Sequence, residues 1–432
     1  MNQFLLAAVA VGYLLLLFGI AYYGDYRRAQ GRSLIANPYI YTLSLAVYCT
    51  SWTFYGSVGK AANEGLTFLP IYLGPTLAAF LWWFVVRKLI RICKINRLTT
   101  MADFLTLRYG RGILLGIVVT VWLILADTPY IGLQLKAIST TFDLLAGGPL
   151  SHPQALPFYA DHAFYLALIL AAFGAMFGAR HLDPSERHEG LVAAVAFESL
   201  VKLVAFLAVG ILVSAYLFPG LLDIFRQAQQ HADLKQLFLL GGSPENSFGL
   251  FFVETLLAMG AIIFLPRQFH LMVVENTNEK HVLTAAWLLP LYLLVINIFV
   301  LPVACGGLLL GFPPTQGDIF VLQLPLANGY PGLALLAFIG GLSAATAMVL
   351  VVSITLSTMF LNSLVTPLLA TFCPGWNWSK WLLSFKRLGI FLVIILGYIS
   401  YRTIGPLTML VEMGLIAFAG VAQLAPAVLG AM

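Results

Sequence analysis

The sequence predicts an all-α polytopic membrane protein of about eleven transmembrane helices, read as one extra N-terminal helix followed by two inverted repeats of five. Three observations predict it. The 432 residues are 60% hydrophobic and only 9% charged, with a mean hydropathy of +0.92, whereas soluble domains carry roughly 25% charged residues. Apolar runs recur that match the roughly 20 residues a helix needs to cross a bilayer. The polar connections between them are too short to hold a soluble domain. The expected spans are about 3–23, 38–60, 66–87, 113–140, 160–178, 189–216, 248–274, 283–311, 332–363, 384–400 and 406–430. An odd-numbered unit inverts when it repeats, so the chain divides into helix and loop 1–37, a first repeat 38–216 and a second 248–432.

Span one has no basic segment before its apolar run; Arg27, Arg28 and Arg32 come after it. That pattern predicts a retained helix with its N-terminus outside, not a cleaved signal peptide. Span two carries Tyr48-Cys49-Thr50-Ser51-Trp52-Thr53-Phe54-Tyr55-Gly56-Ser57-Val58-Gly59, hydroxyls and glycines at mid-membrane. Polar groups there are costly unless they line a cavity or find partners. Each glycine also weakens a helix by roughly 1 kcal/mol relative to alanine. The stretch reads as a broken helix around a solute site, or as a helix packed through small residues.

Span four holds Asp127, Thr128, Pro129 and Tyr130, then Gln134 and Lys136. Pro129 frees a backbone carbonyl near Asp127. The carboxylate serves either a proton or a substrate amine, or else caps the helix end or pairs with Lys136. Span six places Glu198 and Lys202 four residues apart, on one face. They read as a gated charge pair or, preferably, as a structural ion pair turned into the bundle. Span seven has Glu254 and Gly260, then Pro266 followed by Arg267, Gln268 and His270. Breaks in spans two and seven, the first helices of the two repeats, point to a midplane site. Arg267 suits a substrate carboxylate or a snorkelling anchor. His270 can titrate near neutral pH, although a structural donor is the plainer role. Span nine runs Gly340-Gly341-Leu342-Ser343-Ala344-Ala345-Thr346-Ala347, then Ser353, Thr355, Ser357 and Thr358. Close packing is its first reading and cation ligation its second.

Basic residues set the orientation. Sixteen lie in one set of alternate loops and four (Lys60, Arg226, Lys235, Arg402) in the other. This puts the N-terminus outside and the C-terminus in the cytoplasm of a bacterial inner membrane. The net charge of +5 reflects those loops and no nucleic-acid partner. Cys49, Cys93, Cys305 and Cys373 show no metal spacing and read as free thiols. His181 and His188 are seven apart and match no metal pattern, so no metal is assigned. No nucleotide loop, HExxH, nucleophile elbow or kinase motif is present, which predicts no enzyme activity.

Several stretches together resemble the sodium:solute symporter family: Ser51-Trp52-Thr53-Phe54-Tyr55-Gly56, Pro129-Tyr130-Ile131-Gly132-Leu133-Gln134-Leu135-Lys136-Ala137, Gly178-Ala179-Arg180-His181-Leu182-Asp183, Ala196-Phe197-Glu198-Ser199-Leu200-Val201-Lys202-Leu203, and Leu265-Pro266-Arg267-Gln268-Phe269-His270 with Val274-Glu275-Asn276. They look most like the transporter-type module of CbrA-like sensor histidine kinases. The resemblance implies a LeuT-like inverted-repeat fold with spans two to six and seven to eleven as its core. It implies sodium ligands at Ala46 and Cys49, through backbone carbonyls, and at Gly341, Ala344 and Ala345. Two of those last positions normally carry hydroxyls and are alanines here, with Ser343 and Thr346 beside them. This departure points from sodium toward a proton as coupling ion, through Asp127 or His270, or toward no coupling at all. No other cofactor is expected.

Two functions are expected. The first is secondary active transport of a small solute, an amino acid such as histidine, by alternating access. The solute would meet Cys49, Thr50, Ser51, Trp52, Asp127, Tyr130, Arg267, Gln268 and His270. The second is a sensory input domain that detects the solute and signals to a histidine kinase and response-regulator pathway, with no kinase domain in this chain.

Overall fold

The computed structural model describes residues 2–148, 157–178, 188–241, 247–373 and 377–432. Every element among them is helical. The stretch 179–183, with Arg180 and His181, lies outside the described residues, as does Arg187. Helix α1 (Gln3–Ala29) starts where Asn2 accepts the Phe4 N–H at 2.9 Å and ends on Arg27 and Arg28. A capping acceptor suits a helix start and cations suit its negative end. Helix α2 (Pro38–Leu45) is capped by Asn37 with proline at its first position. After a break, α3 (Ser57–Glu64) resumes, followed by α4 (Pro70–Ala79), α5 (Val85–Asn96) and α6 (Met101–Arg108). The long α7 (Ile113–Ala146) ends at Gly147, whose φ of 73° suits glycine.

Next come α8 (His162–Phe177), α9 (Glu189–Ile211), α10 (Leu221–Gln230) and α11 (Ala232–Lys235). Helix α12 (Phe248–Phe264) stops where Leu265 turns extended ahead of Pro266, and α13 (Pro266–Phe269) leaves at an angle of 47°. A residue preceding proline avoids the helical region, which explains the stop. The second half continues with α14 (His281–Asn297), α15 (Val300–Leu309), α16 (Phe320–Ala327), α17 (Pro331–Met359), α18 (Thr366–Phe372), α19 (Leu382–Thr403), α20 (Leu410–Ala422) and α21 (Ala425–Gly430).

Seven helices among the described residues are long and apolar enough to cross a membrane, and the bent α12–α13 pair adds an eighth. The stretches expected at 38–60, 66–87 and 160–178 are also helical but divided or short. Helices α2 and α3 flank a break, α4 and α5 are separate, and α8 runs 16 residues. Large apolar side chains such as Phe4, Phe80, Leu114 and Leu125 point outward, as lipid requires.

Helix α17 lies at the centre and packs against α7, α9 and α19. Between helices in lipid, close van der Waals contact replaces hydrophobic drive, and small residues permit it. A Cβ on Gly74 of α4 would stand 2.6 Å from the Thr255 carbonyl of α12. A Cβ on Gly24 of α1 would stand 2.8 Å from Gly190 Cα of α9. Lys60 was expected on the outer surface. It is buried on α3, its Nζ 2.6 Å and 2.8 Å from the two carboxylate oxygens of Glu254 on α12.

Candidate functional site

The break in the second span begins as a tight turn over Ala46–Tyr48, passes through extended Cys49 (φ −76°, ψ 94°), and rejoins the helix by a wide turn at Trp52–Gly56. Wide turns of this kind recur at functional sites. A break leaves carbonyls and N–H groups without helical partners, which a buried, water-poor setting must replace. Neighbouring helices do so. Gln268 Nε2 donates to the Leu45 carbonyl at 3.3 Å. Ser51 N–H donates to Gln134 Oε1 at 3.1 Å, and Thr50 Oγ1 meets the Tyr130 hydroxyl at 3.1 Å. Lys202 Nζ donates to both the Ala46 and Cys49 carbonyls, at 2.7 and 2.6 Å.

Beside this break sits a group of buried polar atoms. Asp127 and Arg267 are fully buried, and neither carboxylate oxygen nor any guanidinium nitrogen has a hydrogen-bond partner among the described residues. Ser51 Oγ, Trp52 Nε1 and Gln268 Oε1 are likewise unpartnered. The Arg267 guanidinium lies over the Tyr130 ring, 4.3 Å from its centroid, and Asp127 is three residues before Tyr130 on α7. Trp52 packs edge-on against the same ring. Leaving one buried charge without its partner costs roughly 3–5 kcal/mol. Two such groups of opposite sign are thus buried near Tyr130 without hydrogen-bond partners among the described residues. An apolar cavity of about 160 Å³ bounded by Leu14, Ile138, Phe142, Phe338 and Leu342 includes none of these groups.

Several sequence expectations differ from this arrangement. Glu198 and Lys202 make no direct ion pair. Lys202 reaches the broken backbone of span two, and Glu198 accepts from Thr346 Oγ1 on α17 at 2.5 Å. Each found a better-placed partner on another helix than on its own. Asp127 does not pair with Lys136, whose Nζ donates to the Thr408 carbonyl at 2.6 Å. Gly341 makes room for the Tyr55 ring, which a Cβ there would meet. Ala344 and Ala345 are buried in the packing of α17. Ser343 is bonded to Tyr13 of α1 at 2.6 Å, so neither hydroxyl flanking the alanines is directed at the break.

His270 is drawn out of the group. Its Nε2 lies 3.1 Å from Glu275 Oε1, and His188 Nδ1 lies 2.9 Å from the same oxygen. Burial would raise the Glu275 carboxyl, but the hydrogen-bonded His188 and the nearby His270 ring outweigh it and hold it well below the usual carboxylate range. The trio offers ligand atoms within 4.8 Å of one another, a set that imidazole-binding metals accept. His188 hydrogen-bonds Glu275 through its backbone N–H and its ring, while both buried His270 ring nitrogens lack a hydrogen-bond partner among the described residues. That Gln134 and Lys202 bond the broken backbone of span two is not legible in the sequence, because such contacts between distant helices leave no local signal.

Known proteins are similar to this chain on the symporter side of the resemblance, and none of the relatives that follow is a sensor kinase. A model of the sodium:solute symporter family matches residues 30–172. Uncharacterized symporter YhjB of Bacillus subtilis (strain 168) is 25% identical over 328 residues, 74% of this chain and 62% of that protein. Uncharacterized symporter YodF of the same organism is 32% identical over 99 residues, 23% of this chain and 20% of that one. The chain thus spans about six tenths of YhjB and a fifth of YodF. A solved structure described as the substrate-bound outward-open state of a Na+-coupled sialic acid symporter superposes with a TM-score of 0.66 at 15% identity, covering 96% of this chain and 85% of that chain. The fold is therefore the LeuT-like helix bundle of that symporter.

Proposed function

We propose that this chain is a solute-transport module that works by alternating access and takes up an amino acid, histidine being the first candidate. The observation that carries the reading is the unpartnered pair Arg267 and Asp127, both buried beside Tyr130. A solute carboxylate would take the guanidinium in a bidentate, charge-assisted bond, and its ammonium would take Asp127. Trp52 and Tyr130 would hold the side chain, and Thr50, Ser51 and Gln268 would border it. Binding at both ends removes the cost of two unpaired charges, so the solute stabilises the conformation that surrounds it.

The broken span two and the bent span seven would then be the hinges between two inverted repeats at 38–216 and 248–432. The excess of basic residues in one set of loops, against Arg226, Lys235 and Arg402 in the other once the buried Lys60 is set aside, supports a cytoplasmic C-terminus in the cytoplasmic membrane. The symporter relatives support coupling to a cation. Ala344 and Ala345 favour a proton over sodium in that role.

The test is uptake of radiolabelled histidine into proteoliposomes under an imposed sodium gradient and, separately, an imposed proton gradient. Accumulation under either supports transport. Saturable binding with no accumulation moves the reading to a sensory input domain for a histidine-kinase pathway. The same Arg267–Asp127 site would serve that role without turnover.

A further inference from the structure

A broken helix that turns backbone carbonyls inward is a means of holding a bare monovalent cation in a membrane. In this chain the cation at the break is carried on a side chain. Lys202 is fully buried on α9, and its ammonium donates to the Ala46 and Cys49 carbonyls at 2.7 and 2.6 Å. An ammonium has three donors and no acceptor, so two of its three N–H groups are engaged here. A sodium ion at the same carbonyls would stand beside a fixed positive charge in a medium that screens poorly. The two hydroxyls beside the expected sodium positions on α17 are bonded elsewhere. Ser343 bonds Tyr13, Thr346 bonds Glu198, and the residues between them are alanines.

We infer that Lys202 Nζ is itself the cation site of this chain and that its exchangeable ligand is a proton. The charged amine gathers the two carbonyls as a metal cation would, and the neutral amine lets them go. On release the N–H bond breaks, the electron pair stays on nitrogen and the proton leaves with water; rebinding reverses the step. A neutral amine is a weaker donor and loses its attraction to the carbonyl dipoles, so the break loosens. The groups around Lys202 are Glu198 one turn back on α9, the Cys49 thiol at the break and Arg267 on α13. From the other packed helices, Tyr292 of α14 donates to the Ser199 carbonyl and Tyr13 of α1 bonds Ser343. The role in coupling rests on the transport reading above, whereas the binding site does not.

The experiment is binding of radioactive sodium to the purified full chain, measured beside histidine uptake into proteoliposomes. Wild type is expected to bind no sodium saturably. Lys202→Ala frees the two carbonyls and is expected to gain saturable sodium binding, more so when combined with Ala344→Ser and Ala345→Ser. Lys202→Arg keeps a permanent charge and is expected to bind no sodium while losing proton-driven uptake. If Lys202→Ala does not fold, wild type and Lys202→Arg still decide, since sodium binding by either overturns the inference. Sodium-driven histidine uptake by wild type removes Lys202 from the role and leaves transport standing. No histidine uptake, with a sodium-silent wild type and a sodium-binding Lys202→Ala, removes histidine and leaves Lys202 standing.

Discussion

Arg267 lies over the face of Tyr130, with its guanidinium carbon 4.3 Å from the ring centroid, and the hydroxyl of that same ring meets Thr50 Oγ1 at 3.1 Å. One side chain thus joins the bent seventh span to the broken second. The aromatic face steadies the cation without using any of its five N–H donors, which stay available for a carboxylate.

Arg267→Ala should therefore weaken histidine binding about a hundredfold, the roughly 3 kcal/mol of a charge-assisted bond. Arg267→Lys should not restore it, because lysine lacks the planar fork. Isothermal titration of the detergent-purified protein measures both. Unchanged affinity in Arg267→Ala would place the solute elsewhere.

Asp127→Asn should cost affinity only for ligands with an amino group. Histidine should bind more weakly to the variant, while its deaminated analogue imidazolepropionate should bind wild type and variant alike. Competition binding with both compounds checks this, and an equal loss for the two would remove Asp127 from the amine-binding role.

Lys60 and Glu254 should behave as a buried pair. Lys60→Met strands Glu254 and should cost roughly 3–5 kcal/mol, Glu254→Gln should cost less because Lys60 keeps Glu64 at 3.8 Å, and the double variant should recover much of the larger loss. Thermal unfolding in detergent, run as a double-mutant cycle, gives the coupling. Additive losses would show that the contact carries no energy of its own.

At one end of the molecule Arg91 reaches Glu279 through Nε and a terminal nitrogen, at 2.7 and 2.9 Å, and Arg87 adds a longer contact of 3.3 Å. The Arg91 hydrogen bonds, helped by Arg87, bring the Glu279 carboxyl down to about 2. A lowered carboxyl contributes stability that is whole above its unfolded value of about 4.3 and fades as pH falls toward the folded one. Glu279→Gln should thus lower the melting temperature at neutral pH and low salt. The difference should shrink as pH falls from about 4 toward 2, and it should shrink in high salt because the Glu279 side chain is 31% accessible to solvent. Melting curves across pH and ionic strength check it; a difference that persists in strong salt would contradict it.

The two helix breaks were legible because proline and a cluster of glycines and hydroxyls act locally. Leu265-Pro266 forces an extended residue whatever surrounds it. The membrane class followed from composition. Partner choice within the bundle was not legible in the same way. The four-residue spacing of Glu198 and Lys202 puts them on one face, but it does not say what α17 and α2 bring to that face. Thr346 and two freed carbonyls proved nearer. His270 followed the same rule: Pro266 placed it in sequence beside Arg267, and the wide turn His270–Val274 swung it toward Glu275. Side-chain destinations are set by tertiary contacts, whereas breaks are set by the chain itself.

Where α1 crosses α9, Gly24 meets Gly190 with hydrogen-only side chains, and the Gly190 N–H donates to Asp25 at 2.9 Å. The close backbone approach and the Asp25 bond tie the N-terminal helix to the helix that carries Lys202, and the Tyr13–Ser343 bond at 2.6 Å fastens it a second time, to α17.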